Sequence, residues 1–582
     1  MKFCVRVAIG TILAWCQTVH GKAFQYEQRD TNITFTNPIL PGFHPDPSCI
    51  FVEELDKTFF CASSSFLTFP GIPIYASRDL QNWKLASRVF SRPTQIPDLK
   101  TTLTYSSEGG IWAPTLRHHN GTFYLICTFV HIGAAGSRNF KNFVFTTASL
   151  FDEESWSDPV EVEMHGKSAI DPDLFWHEDG TVYMHTGWGR IYQQTVDLQT
   201  GESSVPVVVW NGTGASNPES PHIFQREDYY YLLIAQGGTG KEHAVAVARS
   251  RNISGPYESY TGNPILTAAG TDRFFQATGH ADLFQDSNSN WWGVALGKRS
   301  GPDYQVYPMG RETLLYAVSW NEGWPTLDPI FGKMQGWAFD VTNTTIPGIG
   351  SYIDAPDHVN FGGTEIPTHW VNWRFPDSDA YSVSPTTHPG TLEMAPSFSN
   401  LTGNLTTAGP ISLVGRRQTA SLFNFSVCIE YEPLRVGEEA GMTAFVTQLQ
   451  HIDLGILRGE DDNQVIKLQT TCDGATDTTP PSTVVQDLPE TWYGQKMYLN
   501  IQMSTPDTYT FSVSRAADSS DLLVMGDVNA IYLSGGSGSY TGVLLGVYNT
   551  INGGNGSSKA WFNEWNYTPM AQEVDVGVFD YI

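Results

Sequence analysis

The sequence predicts an all-β protein in which a five-bladed β-propeller is followed by a β-sandwich. First, a segment made of a short apolar strand, a polar turn and an aromatic-rich strand recurs five times, as one repeat per blade requires. Second, aromatic residues make up 13% of the 582 residues, with 54 Gly and 34 Pro, a composition typical of strands and tight turns. Third, the repeat is lost in the second half, where apolar and polar residues still alternate.

The five repeats begin with a similar short motif and have a similar length. They start at Asp46, Ala113, Asp171, Ser220 and His280, which are 67, 58, 49 and 60 residues apart. Equivalent positions on successive blades point towards the same central axis. We therefore expect Asp46, Asp171 and Glu219, which lies one residue before its repeat start, to converge on one pit.

The repeats and the composition divide the chain into four parts. These are a signal peptide (1–23), the five-bladed propeller (24–336), a linker rich in Thr, Gly and Pro (337–355) and the β-sandwich (356–582). A membrane anchor is the alternative to a cleaved signal. The apolar stretch at the N-terminus is short and contains Cys16 and Gln17, which favours a signal.

Glycosylation motifs support the prediction that the protein is secreted and extracellular. Asn-x-Ser/Thr sequons, which single out acceptor sites in exported proteins, occur at ten positions. They are Asn32, Asn120, Asn211, Asn252, Asn343, Asn400, Asn404, Asn424, Asn555 and Asn566. Because they are spread along the chain, they indicate a glycoprotein more strongly than a single motif would.

Five cysteines remain after removal of the signal, so at least one thiol is unpaired within the chain. Cys49 and Cys61 flank the first hairpin and could bridge adjacent strands. Cys428 and Cys472 could pair in the C-terminal half. The spacing alone leaves both pairings open, and no cysteine spacing resembles a zinc site.

The net charge bears on the partners of the protein. With 33 basic against 60 acidic residues, the formal charge is −27. Such a surface repels nucleic acid and anionic membranes. It suits a protein that acts on a neutral substrate.

The three acids on separate blades have the chemistry of a glycosidase. Hydrolysis of a glycosidic bond needs one carboxyl that donates a proton to the leaving oxygen and one carboxylate that activates water. Their environments must push the two pKa values apart. Each acid could instead be an ordinary turn residue, since Asp46 and Asp171 both precede Pro. Their joint occurrence at matching blade positions favours the catalytic interpretation.

Several motifs, in order, resemble those of glycoside hydrolase family 43. They are 37–48 (NPILPGFHPDPS), 79–83 (DLQNW), 110–114 (GIWAP), 170–175 (IDPDLF), 219–222 (ESPH), 279–282 (GHAD) and 310–313 (GRET). The second half is similar to the concanavalin-like β-sandwich appended to the β-xylosidase branch of that family. Two positions depart from the family pattern. Ser220 stands where Gly is more usual, and Thr68 stands where an aromatic residue is common.

The resemblance implies a hydrolase that acts on β-xylosides or α-L-arabinofuranosides with inversion at the anomeric carbon. By motif position Asp46 is the general base and Glu219 the general acid. Asp171 is the third acid, which holds Glu219 in place and tunes its pKa. Inversion leaves room for water, with the base and acid carboxyls roughly 6.5–9.5 Å apart.

The resemblance also implies a set of substrate-binding residues. Phe66 and Trp112 line the sugar pocket, and Arg311 lies near the substrate and the acid. His280 matches a histidine that lies near a calcium ion in some family members. Core packing is the alternative for the two aromatic residues, a surface ion pair for Arg311 and a structural hydrogen bond for His280. No organic cofactor is required, and Ca²⁺ at His280 is an option.

The sequence therefore predicts a secreted glycosidase that releases terminal xylose or arabinofuranose from plant cell-wall xylan or arabinan fragments. Its partner is an oligosaccharide or polysaccharide, with no nucleic acid and no membrane, and homo-oligomerisation stays open. An arabinofuranosidase or an arabinanase is the nearest alternative. A non-catalytic glycan-binding propeller is an alternative from another class, and the complete set of three acids argues against it.

Overall fold

The computed structural model describes residues 31–582 except 106, 340, 342, 404–408, 474–478, 516 and 518–520. The predicted signal peptide and the sequon at Asn404 lie outside these residues. Within them the secondary structure consists of strands and seven short 3₁₀ helices, so the all-β prediction is confirmed. No helix in this part of the chain is long and apolar enough to cross a membrane. The 3₁₀ helices are Pro97–Thr101, Ala134–Gly136, Glu153–Ser155, Ser378–Ala380, Glu490–Trp492, Ala530–Leu533 and Gly536–Gly538.

Five antiparallel sheets form the blades of the propeller, each running from the axis outwards in chain order. Blade 1 contains Ser48–Val52, Thr58–Ala62, Gly71–Ser77 and Lys84–Phe90. Blade 2 contains Gly110–His119, Thr122–Ile132, Arg138–Thr147 and Val160–Val162. Blade 3 contains Ile170–Trp176, Val182–Gly187, Ile191–Thr195 and Val207–Trp210. Blade 4 contains Glu219–Arg226, Tyr229–Gln236, Ala244–Ser250 and Glu258–Ser259, with Leu266–Thr267 beside its third strand. Blade 5 contains Phe275–Gln285, Trp291–Arg299, Glu312–Asn321 and Trp324–Leu327.

The predicted repeat starts share one backbone conformation. Asp46, Ala113, Asp171, Ser220 and His280 all have positive φ, between 43° and 55°. In blades 2 to 5 the pairing with the second strand is interrupted by a bulge at this point. Positive φ is uncommon for residues other than Gly, and a bulge turns a side chain away from its regular direction. The chain therefore bends at each repeat start, and the bend directs side chains into the central pit.

The sandwich packs two large antiparallel sheets around an apolar core. One sheet has the order Val484–Asp487, Gln464–Cys472, Gln450–Arg458, Glu439–Thr447, Leu544–Thr550, Ser412–Arg417, Val371–Trp373 and Thr68–Phe69. The other has the order Tyr381–Val383, Leu392–Met394, Ala560–Asp575, Leu422–Glu430, Met497–Thr505, Thr508–Ser514 and Leu523–Asn529. Asp357–Val359 and Val578–Tyr581 also pair with the long strand of this second sheet.

The two domains share hydrogen-bonded strands. Thr68–Phe69, between the second and third strands of blade 1, is the edge strand of a sandwich sheet, where Thr68 pairs with Trp373. Just before it, Phe66 pairs with Ile111 of blade 2. The segment that carries Phe66 is therefore held by both domains. A further pair of strands, Thr31–Thr36 and Lys333–Trp337, joins the beginning of the described chain to the end of the propeller.

The cysteine predictions have different outcomes. Cys49 and Cys61 face each other on the first two strands of blade 1 and form a disulfide. Cys428 is a buried free thiol, so it does not form the suggested bridge to Cys472. The two residues lie on strands of opposite sandwich sheets, with the apolar core between those sheets.

Candidate active site

A cavity of about 330 Å³ lies at the end of the propeller where the inner strands begin. All seven residues that the sequence singled out line it. They are Asp46, Phe66, Trp112, Asp171, Glu219, His280 and Arg311. They come from five blades. The shared bend at the repeat starts brings together Asp46, Trp112, Asp171, Glu219 and His280, whereas Phe66 and Arg311 come from later segments of blades 1 and 5.

Asp46 is held as an ionised carboxylate. One of its oxygens accepts a hydrogen bond from the Arg311 guanidinium at 2.9 Å, and the other accepts one from the Ser64 hydroxyl at 2.6 Å. His280 Nδ1 lies 3.7 Å from the same oxygen that Arg311 contacts. Burial by itself would raise the pKa of Asp46, but His280, Arg311 and the Ser64 hydrogen bond together lower it below 3.8. Asp46 therefore carries a negative charge near neutral pH.

Glu219 and Asp171 have the opposite tendency. Burial raises the pKa of Glu219 to about 7; the Asp46 charge adds to this and the Arg311 charge opposes it. Burial, followed by the charges of Glu219 and Asp46, raises the pKa of Asp171 well above 3.8. The cluster thus has one carboxylate paired with a guanidinium and two carboxyls that tend to keep their protons. This separation of pKa values is what acid–base hydrolysis requires.

Local backbone geometry positions Glu219. The next residue, Ser220, has φ +50° and donates its backbone N–H to Asp171 at 3.1 Å. Gly favours this conformation, which gives a physical reason for the Gly that is more usual in the family at this position. Across the blade gap, a Cβ on Gly187 would lie 2.6 Å from the Glu219 Cα. A side chain at Gly187 would therefore push the acid out of place.

The walls of the cavity are aromatic, and two of the aromatic residues were missed in the sequence. Phe66 and Trp112 pack with ring centroids 5.8 Å apart. Tyr540, from the sandwich, stacks on Phe66 at 6.1 Å, and the Arg311 guanidinium lies 4.6 Å from the Tyr540 ring centroid. Trp188, which is 43% exposed, lies at the cavity mouth on a hairpin turn. Its position between two glycines was a usable sign of an exposed aromatic, whereas nothing local singles out Tyr540.

A second layer of polar residues lies beneath the carboxyls, around Arg117. Its guanidinium contacts Asp173 at 2.8 Å, Asp282 at 2.9 Å and His222 at 3.1 Å. Ser48 donates a hydrogen bond to Asp282 at 2.6 Å, which joins blade 1 to blade 5. Ser48, Asp173, His222 and Asp282 each come two residues after the start of their repeat. Arg117 therefore ties the inner strands together directly below the candidate catalytic residues.

We expect the Arg117→Met variant to lose about 3–5 kcal/mol of unfolding free energy, because Asp173 and Asp282 are fully buried and would lose their counter-charge. Urea unfolding of both proteins at pH 7 measures the loss. The matched control is Arg251→Met, which breaks an ion pair with Asp228 whose side chains are 66% and 82% exposed. Exposed pairs contribute about 0–1 kcal/mol. A loss for Arg117→Met as small as that of the control would contradict the prediction.

His280 lies close to Asp46, with its Nδ1 3.7 Å from one carboxylate oxygen. Burial lowers the pKa of His280 to about 4, so the ring is neutral near pH 7. In the part of the chain that the structure describes, no group of three or more His, Cys, Asp and Glu side chains is arranged to hold a metal ion. Ca²⁺ also binds backbone carbonyls, amide oxygens and water, so the option of Ca²⁺ at His280 stays a prediction.

Comparisons with known proteins cover both domains. Residues 35–325 match the family model Glycosyl hydrolases family 43, and residues 358–568 match the Beta xylosidase C-terminal Concanavalin A-like domain, which confirms the concanavalin-like sandwich. The chain is 34% identical over 543 residues to a non-reducing end alpha-L-arabinofuranosidase of Bacteroides ovatus, covering 92% of this chain and 94% of that protein. It is 28% identical over 544 residues to a beta-xylosidase of Bacillus subtilis, covering 88% and 95%. The solved xylan beta-1,4-xylosidase of Bacillus halodurans superposes with a TM-score of 0.77 at 27% identity, covering 92% and 100%.

Proposed function

Because the chain belongs to glycosyl hydrolase family 43 and is a glycosidase, we propose that it removes a terminal pentose, α-L-arabinofuranose or β-D-xylose, from plant cell-wall oligosaccharides with inversion. The observation that carries the proposal is the cluster of three buried carboxyls, in which Asp46 is charged and Glu219 keeps its proton up to about pH 7. The relatives named for arabinofuranosidase and for xylosidase activity support both sugars.

The residues can perform the reaction in a single displacement. Asp46 accepts a proton from a water molecule as the water oxygen forms its bond to the anomeric carbon. The bond from that carbon to the leaving oxygen breaks, and Glu219 donates its proton to this oxygen. Arg311 and the Ser64 hydroxyl keep Asp46 ionised before the reaction. Asp171 contributes by fixing the backbone beside Glu219 through the Ser220 N–H.

The shape of the cavity supports release of one terminal sugar. Tyr540 of the sandwich covers the wall formed by Phe66 and Trp112, so the propeller surface is not an open groove at this side. The faces of these rings suit the apolar C–H side of a pentose. Trp188 at the cavity mouth is placed to contact the oligosaccharide that leaves after the terminal sugar is cut off.

We also propose that the protein is secreted and glycosylated, and that it needs no cofactor. Of the eight sequon asparagines whose side chains the structure describes, seven are exposed: Asn120, Asn211, Asn252, Asn343, Asn400, Asn424 and Asn555. None of these seven lines the cavity, so glycans there would leave the site accessible. Water and the carboxyls supply all the atoms that the reaction requires, which is why no cofactor is invoked.

The test measures initial rates on 4-nitrophenyl α-L-arabinofuranoside and 4-nitrophenyl β-D-xyloside, with the first-formed anomer followed by NMR. We expect release from at least one substrate, with inverted configuration, unchanged by EDTA. The ratio of the rates identifies the sugar. Retained configuration would overturn the inverting mechanism. Activity only on long arabinan would favour an endo-arabinanase, and binding of glycans without hydrolysis would favour the non-catalytic alternative.

A further inference from the structure

Tyr540 belongs to the sandwich but lines the propeller cavity, and the residue after it contacts the propeller. The next residue, Thr541, donates its hydroxyl hydrogen bond to Glu108 of the propeller at 2.8 Å. Both side chains are buried, with 0% exposure for Glu108 and 1% for Thr541. The contact therefore lies inside the domain interface. It is one residue from Tyr540, whose ring covers the wall formed by Phe66 and Trp112.

The backbone on the other side of Thr541 rests against the propeller. Gly310, at φ +70°, packs so closely that a Cβ there would lie 1.7 Å from the Thr541 carbonyl oxygen. Val543 donates its N–H to the Pro308 carbonyl at 2.9 Å. The main chain after Tyr540 is thus held by propeller backbone next to Arg311. The side chain of Thr541 is held by Glu108.

Burial of Glu108 favours its neutral form in this contact. Burial raises its pKa well above 4.5, and the Thr541 hydrogen bond and the Arg374 charge offset only part of the effect. Arg374 is the charged group that faces it, and burial lowers the pKa of Arg374 to about 10. Arg374 is itself engaged with the Thr102 carbonyl at 2.7 Å and the Gln448 side chain at 2.7 Å. A neutral carboxyl can lie in this interface without a direct ion pair.

We propose that Glu108 is a positioning residue for substrate binding, which acts through Thr541 to hold Tyr540 against the wall formed by Phe66 and Trp112. The two domains then form one pocket, and Glu108 fixes the part of it that the sandwich supplies. The inference rests on the proposed function, because the placement of Tyr540 affects turnover only if the cavity takes a sugar.

The test compares Thr541→Val with the wild-type protein on the better 4-nitrophenyl pentoside. Val has the same shape as Thr but cannot donate the hydrogen bond. We expect KM to rise about 10-fold, in line with the loss of one buried hydrogen bond, while kcat changes by less than about 3-fold. Glu108→Leu should behave alike. Glu108→Gln, which keeps an acceptor for Thr541, should retain a KM close to that of the wild type.

A double-mutant cycle separates positioning from a general structural effect. In a Tyr540→Ala background, Thr541→Val should change KM by less than about 2-fold, because the residue through which it acts is gone. Thr443→Val is the matched control. Thr443 is a buried sandwich threonine that donates to Asp453 at 2.8 Å and does not line the cavity, so KM should not change.

Two results would overturn the inference. One is an unchanged KM in Thr541→Val, and the other is an equal rise in KM with and without Tyr540. Circular dichroism and the melting temperature show whether each variant is folded. Failure of the proposed function has a different signature, since the wild-type protein would then release no pentose and there would be no KM to compare.

Discussion

Replacing Asp46 by Asn is expected to reduce kcat by roughly 10²–10⁴-fold on every pentoside, whatever its leaving group. The amide has the shape of the carboxylate but cannot accept the proton of the attacking water. Arg311 and Ser64 keep Asp46 charged in the wild-type protein, but they do not let an amide accept a proton. Because water must be activated for each bond that is broken, a better leaving group does not compensate. Initial rates on an aryl pentoside and on a natural oligosaccharide measure the effect.

The control for Asp46→Asn is Asp79→Asn. Asp79 also lies in blade 1, where it accepts backbone N–H bonds in an exposed turn, and it does not line the cavity. This variant should retain wild-type kcat. Activity of Asp46→Asn within about 10-fold of the wild type would be incompatible with the assignment of Asp46 as the general base, because general base catalysis typically contributes roughly 10²–10⁴-fold.

Replacing Glu219 by Gln is expected to give losses that depend on the leaving group. An oligosaccharide leaving group needs a proton, so kcat/KM should fall by roughly 10²–10⁴-fold. A dinitrophenolate leaves without a proton, so on an aryl pentoside of this type the loss should be about 10-fold or less, well below the range for an essential proton donor. Gln has the size of Glu, which keeps the cavity lining intact while removing the proton.

The pH profile gives a second measurement of the same residue. Glu219 acts in its protonated form, and its pKa is raised to about 7, so wild-type kcat/KM should fall as the pH rises through about 7. Asp46 acts in its charged form with a pKa below 3.8, so the acid side of the profile should remain high down to about that pH. In Glu219→Gln the fall near pH 7 should disappear. Equal losses on both substrates, or a persistent alkaline fall, would refute the role of Glu219 as the acid.

Much of the propeller and of its site could be predicted from the sequence because both are repeated locally. The residues at the five repeat starts share a positive φ, so a pattern in the sequence corresponds to one backbone bend in each blade. From that equivalence, Asp46, Asp171 and Glu219 were expected to meet, and they line one cavity. The pairing of Cys49 with Cys61 was likewise accessible, since adjacent strands of one hairpin bring the two residues face to face.

The remaining features depend on contacts between parts of the chain that have no common pattern. Arg117 occurs once, in blade 2, yet it meets residues from blades 3, 4 and 5, and nothing in its neighbourhood distinguishes it from a surface arginine. The suggested pairing of Cys428 with Cys472 was wrong for a similar reason. Position along the chain does not reveal that their strands belong to opposite sheets.

The sequence by itself determined the all-β class, the order of the two domains and the three carboxyls, because each depends on a short pattern that recurs or on a composition. Only the tertiary structure decided how the pocket is completed. Tyr540 and Thr541 reach Phe66 and Glu108 because the sandwich docks on the propeller through a shared sheet and close backbone contacts at Gly310. Docking of this kind depends on the shapes of two folded surfaces. These shapes cannot be inferred from local periodicity or from motif spacing.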